Sequence, residues 1–203
     1  MPFPEFFEQF DILFRRQFLS PEYCERLRIE MDGATVSLGA VWDPNAGDQI
    51  KEEVKKRKEF LGLSQETESR ITKELFRLMP AVADHFGIPL SNVQPIKFTR
   101  YDEGDYYRRH RDISSDPDAP TVIKERKVSV IIFLNQEGES PDEGDYCGGN
   151  LTFYGLIDEP EWHGIGLPLE SEAGLLIAFR PDTIHEVTPI TSGSRYTITT
   201  WFV

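Results

Sequence analysis

Apolar residues recur at two spacings along these 203 residues, and the change falls near residue 93. Before it, Ile71, Leu75, Leu78, Val82 and Phe86 lie at i, i+4, i+7, i+11 and i+15, one stripe of an amphipathic helix. Pro80 sits inside that stripe and is expected to kink or split the helix, which Gly87 and Pro89 then close. An earlier helix begins at Ser20-Pro21-Glu22: a hydroxyl cap, a proline at the first helical position, an acid in the first turn. It should run to about Met31 and stop at Gly33. Residues 34–42 read as a strand, 43–48 as a turn-rich loop and 50–61 as a charged helical connection.

Beyond residue 93 the period shortens. Residues 128–134, Val-Ser-Val-Ile-Ile-Phe-Leu, are a nearly continuous β-rich run suited to a buried strand. Residues 151–154, 175–179, 186–190 and 195–203 are further short strands between Gly, Pro and Ser turns. Helices followed by many short strands predict a mainly β chain with N-terminal helices, a sheet-rich barrel or jelly roll. The acidic section 136–149 is expected to be an irregular, mobile loop. One domain should span 1–203, with 1–92 as helical support and 93–203 as the catalytic core.

Hydrophobic residues make up 39% and aromatics 12%, which suits a folded globule rather than a disordered chain. The net charge of −13 repels nucleic-acid phosphate and argues against a nucleobase-modifying role. Residues 51–58 hold five cations and two carboxylates and read as a solvated helix face. Cys24 and Cys147 are the two cysteines, and nothing in the sequence supports a bridge between them. Residues 1–5 lack the cationic and apolar parts of a leader, and no apolar run reaches the ~18 residues of a membrane span. A cytoplasmic location without membrane attachment is the expectation, and the oligomeric state stays open.

The segment Arg109-His110-Arg111-Asp112 carries the sharpest chemical signal. Residues two apart on an extended chain share a face, so His110 and Asp112 can aim at one ion. A third ligand must come from a neighbouring strand, and His185, just after Pro181 at a strand start, is the candidate. Two imidazoles and one carboxylate form the facial triad of non-haem Fe(II) sites, which leaves three metal positions open. Arg195, ten residues on, adds an always-charged fork able to grip a carboxylate with two hydrogen bonds. His85 reads as structural. His163, next to Trp162, and Arg108, on the face of His110, are weaker candidates for substrate contact.

In sequence, Tyr101, Gly104, Tyr107, His110 and Asp112 fill the motif Tyr-x-x-Gly-x-x-Tyr-x-x-His-x-Asp. The chain thereby resembles the prolyl 4-hydroxylase-like 2-oxoglutarate/Fe(II) dioxygenases. The likeness continues through 126–135, Gly148-Gly149-Asn150-Leu151-Thr152-Phe153, 174–179, and His185, Pro189, Gly193, Arg195 and Trp201. It covers residues 93 to 203 and implies a double-stranded β-helix. The resemblance further implies Fe(II) on His110, Asp112 and His185, the catalytic residues. It places 2-oxoglutarate against Arg195, Tyr101 and Thr199, and substrate near Tyr107, Arg126 and Trp201. O2 would be the oxidant, with ascorbate as an auxiliary reductant. Relatives carry Tyr where Phe133 stands, and its hydroxyl helps hold the distal carboxylate of 2-oxoglutarate; a threonine or water must replace it here. Related halogenases lose the acid at Asp112, so its presence favours hydroxylation.

Three functions follow in order of fit. The first is hydroxylation of an unactivated carbon, foremost a prolyl residue in a peptide or protein, with 34–61 as a candidate lid. The second keeps the chemistry and changes the substrate to a free amino acid or other small metabolite. The third is a non-catalytic jelly-roll module that binds metal or a partner. A hydrolase lacks an obvious general base beside the ligands.

Overall fold

A computed structural model describes residues 4–43, 46–61, 63–138, 140 and 145–203. Residues 1–3 of the segment read for a leader, and 139 and 141–144 of the acidic loop, lie outside the described residues. In chain order, helix α1 (Pro4–Phe7) and a 3-10 turn (Glu8–Phe10) precede strand β1 (Leu13–Arg15) and helix α2 (Pro21–Asp32). The Ser20 hydroxyl caps α2 by accepting from the Tyr23 amide at 3.3 Å. Next come β2 (Thr35–Leu38), β3 (Val41–Asp43), β4 (Gly47–Gln49), β5 (Lys55–Lys56) and β6 (Lys58–Leu61).

Helix α3 (Gln65–Phe86) buries the expected stripe of Ile71, Leu75, Leu78, Val82 and Phe86 and ends on Gly87 at φ +63°. Pro80 does not split it. Proline there removes the hydrogen bond to the Phe76 carbonyl, but both residues lie on the exposed face, where that oxygen is not stranded in an apolar core. The strands of the second half are β7 (Lys97–Tyr101), β8 (Tyr106–His110), β9 (Val128–Phe133), β10 (Tyr146–Gly148) and β11 (Leu151–Tyr154). Then follow β12 (Leu167–Leu169), β13 (Leu176–Phe179), β14 (Ile184–Val187), β15 (Ile190–Gly193) and β16 (Arg195–Phe202). One further turn of helix, α4 (Thr121–Lys124), precedes β9.

The larger sheet has seven antiparallel strands in the order β1-β13-β9-β16-β7-β6-β2, and the smaller has five, β12-β11-β14-β8-β5. Two apolar clusters explain the sandwich. Leu27, Leu75, Val82, Phe98, Ile132 and Ile198 pack α2 and α3 against the outer face of the larger sheet. Tyr101, Ile131, Phe133, Phe153, Phe179 and Val187 fill the space between the sheets. Strand β9 contributes to both clusters, which is why it reads as a continuous apolar run rather than an alternating one. The molecule is thus mainly β with N-terminal helices, a double-stranded β-helix.

The stretch 50–61 is not a helix, and the basic run inside it is not a solvated helix face. It forms β5 and β6, which stitch into the smaller and larger sheets respectively. Lys55 and Arg57 are 4% and 7% exposed. Three strands from before residue 93 join the larger sheet and one joins the smaller. The strand expected over 34–42 is two: β2 in the larger sheet, and β3 in a separate hairpin with β4. Cys24 and Cys147 are both buried free thiols. No helix among the described residues is long and apolar enough to cross a membrane.

Candidate metal and carboxylate site

Strands β8 and β14 are neighbours in the smaller sheet, with His110 directly opposite His185. Asp112 lies just past the end of β8, fixed by its amide donating to the Pro181 carbonyl at 2.7 Å. One ligand atom from each of His110, Asp112 and His185 falls within 4.8 Å of the others. His110 Nε2 is 3.6 Å from Asp112 Oδ1, and His185 Nε2 is 3.9 Å from Asp112 Oδ2.

The surroundings set the protonation each ligand needs. Nδ1 of His110 lies 2.8 Å from the Arg108 carbonyl, and Nδ1 of His185 lies 2.9 Å from that of Thr183. Both Nδ1 atoms are therefore donors, and the neutral form of each ring keeps its Nε2 lone pair for the common point. The Ser129 hydroxyl donates to Asp112 Oδ2 at 2.7 Å and orients that carboxylate. Burial pushes the His185 imidazole down to about 4, aided by the nearby His110, so it stays neutral. Burial alone would raise Asp112, but the two imidazoles and Ser129 outweigh it and hold the carboxyl well below its ordinary range. Neutral imidazoles and an ionised acid are the donor set a divalent cation requires.

A cavity of about 740 Å³ opens beside these ligands, a size suited to small-molecule sites. Alternation along β16 points Arg195, Thr197, Thr199 and Trp201 into it. Arg195 is 1% exposed, and its Nε and Nη2 have no hydrogen-bond partner among the described residues. A buried guanidinium with idle donors costs several kcal/mol unless an anion pairs with it. That fits the carboxylate of a cosubstrate. Tyr101, opposite Arg195 in register, lines the same space, and its hydroxyl accepts from Arg57 Nη1 at 3.1 Å. Tyr107 stacks on the His110 ring at 3.5 Å between centroids. Arg126 lies over Trp201 at 3.6 Å and donates to the Asp112 carbonyl at 2.7 Å.

His110, Asp112, His185, Arg195, Tyr101, Thr199, Tyr107, Arg126 and Trp201 thus all line one cavity. His163 and Arg108 do not line it. His163 is exposed, and Arg108 donates its Nε to the Glu53 carbonyl at 2.5 Å. His85 reaches Asp11 at 3.6 Å, away from the cavity. Sequence reasoning missed Ser129, Thr197, Lys55 and Arg57. The first two follow from strand alternation once β9 and β16 are paired, with Thr197 opposite Phe133. The last two carry no sequence signal, because a run of cations looks the same on a surface as on a cavity wall.

A jelly roll whose paired strands converge two imidazoles and one carboxylate beside a buried arginine defines a mononuclear facial-triad oxygenase site. The chain belongs to the 2OG-Fe(II) oxygenase superfamily, whose family model matches residues 96–203. The family implies Fe(II) as cofactor, with 2-oxoglutarate and O2 as cosubstrates. A PKHD-type hydroxylase of Nitrobacter winogradskyi is 35% identical over 116 residues, 56% of this chain and 45% of the relative. One of Paracoccus denitrificans is 33% identical over 112 residues, 55% of this chain and 44% of the relative. The chain spans about half the length of the curated relatives it matches. Among solved structures, a Pseudomonas putida prolyl-4-hydroxylase superposes with TM-score 0.68 at 23% identity, covering 98% of this chain and 95% of that one. A Trichoplax adhaerens prolyl hydroxylase, in complex with a hypoxia inducible factor peptide fragment, gives 0.69 at 19% identity, covering 98% and 86%. These two share the fold.

Proposed function

We propose that this chain is a 2-oxoglutarate-dependent dioxygenase that hydroxylates an unactivated carbon, foremost a prolyl residue of a peptide or protein. The observation that carries it is the buried Arg195 with idle donors on the cavity wall shared with His110, Asp112 and His185. A non-catalytic module has no need of an unsatisfied buried cation there. When bound, Fe(II) supplies O2-dependent oxidation, in which 2-oxoglutarate becomes succinate and CO2 while a C–H bond gains a hydroxyl.

The protein's own part is binding and orientation. His110, Asp112 and His185 hold the metal, and Arg195 grips the distal carboxylate of 2-oxoglutarate. Tyr101 and Thr199 line the cosubstrate's pocket. Thr197 takes over the hydrogen bond that Phe133 cannot give: it faces the cavity directly across from Phe133, and its hydroxyl lies 2.7 Å from that of Thr99. With Thr99 as donor, the Thr197 proton is free to point at the carboxylate. Tyr107, Arg126 and Trp201 meet the substrate, and Trp201 Nε1, without a hydrogen-bond partner among the described residues, supports this. Residues 1–203 act as one unit, with ascorbate as an auxiliary reductant. The two free buried thiols fit a reducing, cytoplasmic setting. A free amino acid remains the second reading, favoured by the cavity's modest volume of about 740 Å³.

Anaerobic Fe(II) and 2-oxoglutarate should give a weak visible charge-transfer band that Asp112→Ala abolishes. No band in the wild-type chain would remove the reading. Succinate release with proline peptides against free amino acids then separates the two substrate classes.

A further inference from the structure

The cavity's charge runs against that of the chain. The protein carries −13 overall, yet among the described residues seven Lys and Arg line the cavity against three Asp. Some of this excess has an assigned counter-charge. Arg195 faces the cosubstrate carboxylate, Asp112 faces the ion, and Lys51 pairs with Asp43.

Of the five other cavity cations, three lie on one wall, built by β7 and the stretch around β5. Lys55 of β5, Arg57 just after it and Lys97 of β7 converge on a single carboxylate, Glu59. Arg57 Nη2 lies 2.8 Å from Glu59 Oε1, Lys55 Nζ 3.6 Å from the same oxygen, and Lys97 Nζ 3.6 Å from Oε2. One acid cannot neutralise three cations, two of which are almost fully buried. Burial first, then the charge of Arg57, pushes the Lys55 ammonium down to about 7 against the pull of Glu59.

The wall borders the reacting centre. Lys55 Nζ lies 5.1 Å from the Tyr107 ring centroid and Arg57 Cζ 5.8 Å, and that ring stacks on His110. The Tyr107 ring thus neighbours both the cationic wall and His110. Across the cavity, Arg126 donates to the Asp112 carbonyl and the Gln94 side-chain oxygen, neither of them an anion.

We propose that the hydroxylated substrate is acidic, and that a carboxylate close to its target carbon docks on the Lys55–Arg57–Lys97 wall. This rests on the dioxygenase reading and names its substrate class. The carboxylate could be an Asp or Glu side chain beside the target residue in a peptide, or the free carboxyl of an amino acid. Both would be drawn in by the positive cavity of an otherwise negative molecule.

The test measures binding to the Zn(II)- and 2-oxoglutarate-loaded protein by calorimetry and by fluorescence of Trp42 and Trp201, both on the cavity wall. The probes are one proline peptide flanked by glutamates, its glutamine and lysine counterparts, and free proline with its methyl ester. The glutamate peptide should bind at least about ten-fold more tightly than the glutamine one, with a preference that shrinks as salt rises. Tight binding of free proline that its methyl ester loses would assign the same wall to a free amino acid. Lys97→Met should cut acidic-ligand affinity by about ten-fold and leave the glutamine peptide alone. Lys97 is 41% exposed, so this variant should fold even if Lys55→Met does not. Charge-independent binding, or no binding by any probe, overturns the inference. So does a loss in either variant that falls on 2-oxoglutarate instead. The parent reading fails separately, by absence of 2-oxoglutarate binding to the metal-loaded protein.

Discussion

Thr197 and Phe133 share one register position on the cavity side of β16 and β9, and between them they supply a single hydroxyl beside Arg195. If that hydroxyl holds the cosubstrate, Thr197→Val keeps the shape and removes only the donor. The KM for 2-oxoglutarate should rise about ten-fold, the worth of one hydrogen bond to a charged partner, with kcat little changed. Steady-state succinate release checks this, and an unchanged KM would return the role to water. A second residue near Arg195 shapes the pH response. Glu137 is buried, with one oxygen accepting from Asn150 Nδ2 at 2.5 Å and the other without a hydrogen-bond partner among the described residues. Burial raises its carboxyl to about 7, against the opposing effects of Asn150 and Arg195. Between the ordinary carboxyl value and about 7, the folded chain holds a proton that the unfolded chain has lost. Its contribution to stability therefore falls as pH rises through that window. Urea midpoints at pH 5 and pH 7.5 should show a larger drop for wild type than for Glu137→Gln, which keeps the acceptor and cannot ionise.

At the level of elements, legibility followed how completely one physical cause controlled each segment. Helix α3 could be read because a single apolar stripe and a glycine stop specify it, and β9 because burial on both faces leaves only apolar side chains. The convergence of His110 and Asp112 could be read because an i, i+2 spacing on a strand is itself a geometric statement. Residues 50–61 could not. Strands β5 and β6 are two and four residues long, Lys55 of β5 faces the cavity while Lys56 and Lys58 pair with Asp105 and Asp102, and neither alternation nor an apolar run marks them. What makes them strands is pairing with β8 and β7, a tertiary cause absent from local sequence. Tertiary packing also fixes the joint between helix α2 and the larger sheet. Gly174 has φ +84°, and a Cβ there would lie 2.0 Å from the Leu19 carbonyl oxygen. Gly174→Ala should cost at least about 2 kcal/mol, since left-handed strain and a backbone clash act together. Thermal or urea unfolding of the variant checks the figure, and wild-type stability would mean that the Leu19 segment yields freely.

For the whole molecule, the two sheets decide which parts can move around a bound substrate. The stretch 34–61 was expected to be a lid, yet β2 and β6 are tied into the larger sheet and β5 into the smaller. Within that stretch, the β3–β4 hairpin pairs with neither of the two large sheets. It still reaches the cavity through Ala40, Val41, Trp42 and Asp43, and Lys51 bonds Asp43 at its base. An element that pairs only with itself opens at low cost, whereas opening β5 or β6 would break sheet ladders that hold the cavity wall. Substrate binding should therefore slow amide exchange in peptides covering 40–49, and leave 55–61 at the slow rate it already has without ligand. Hydrogen exchange of the metal- and 2-oxoglutarate-loaded protein, with and without the best-binding probe, makes the comparison. Equal protection of 40–49 in both states would show a rigid rim instead of a closing hairpin. Fast exchange at 55–61 in the free protein would mean that the cationic wall forms only around its ligand.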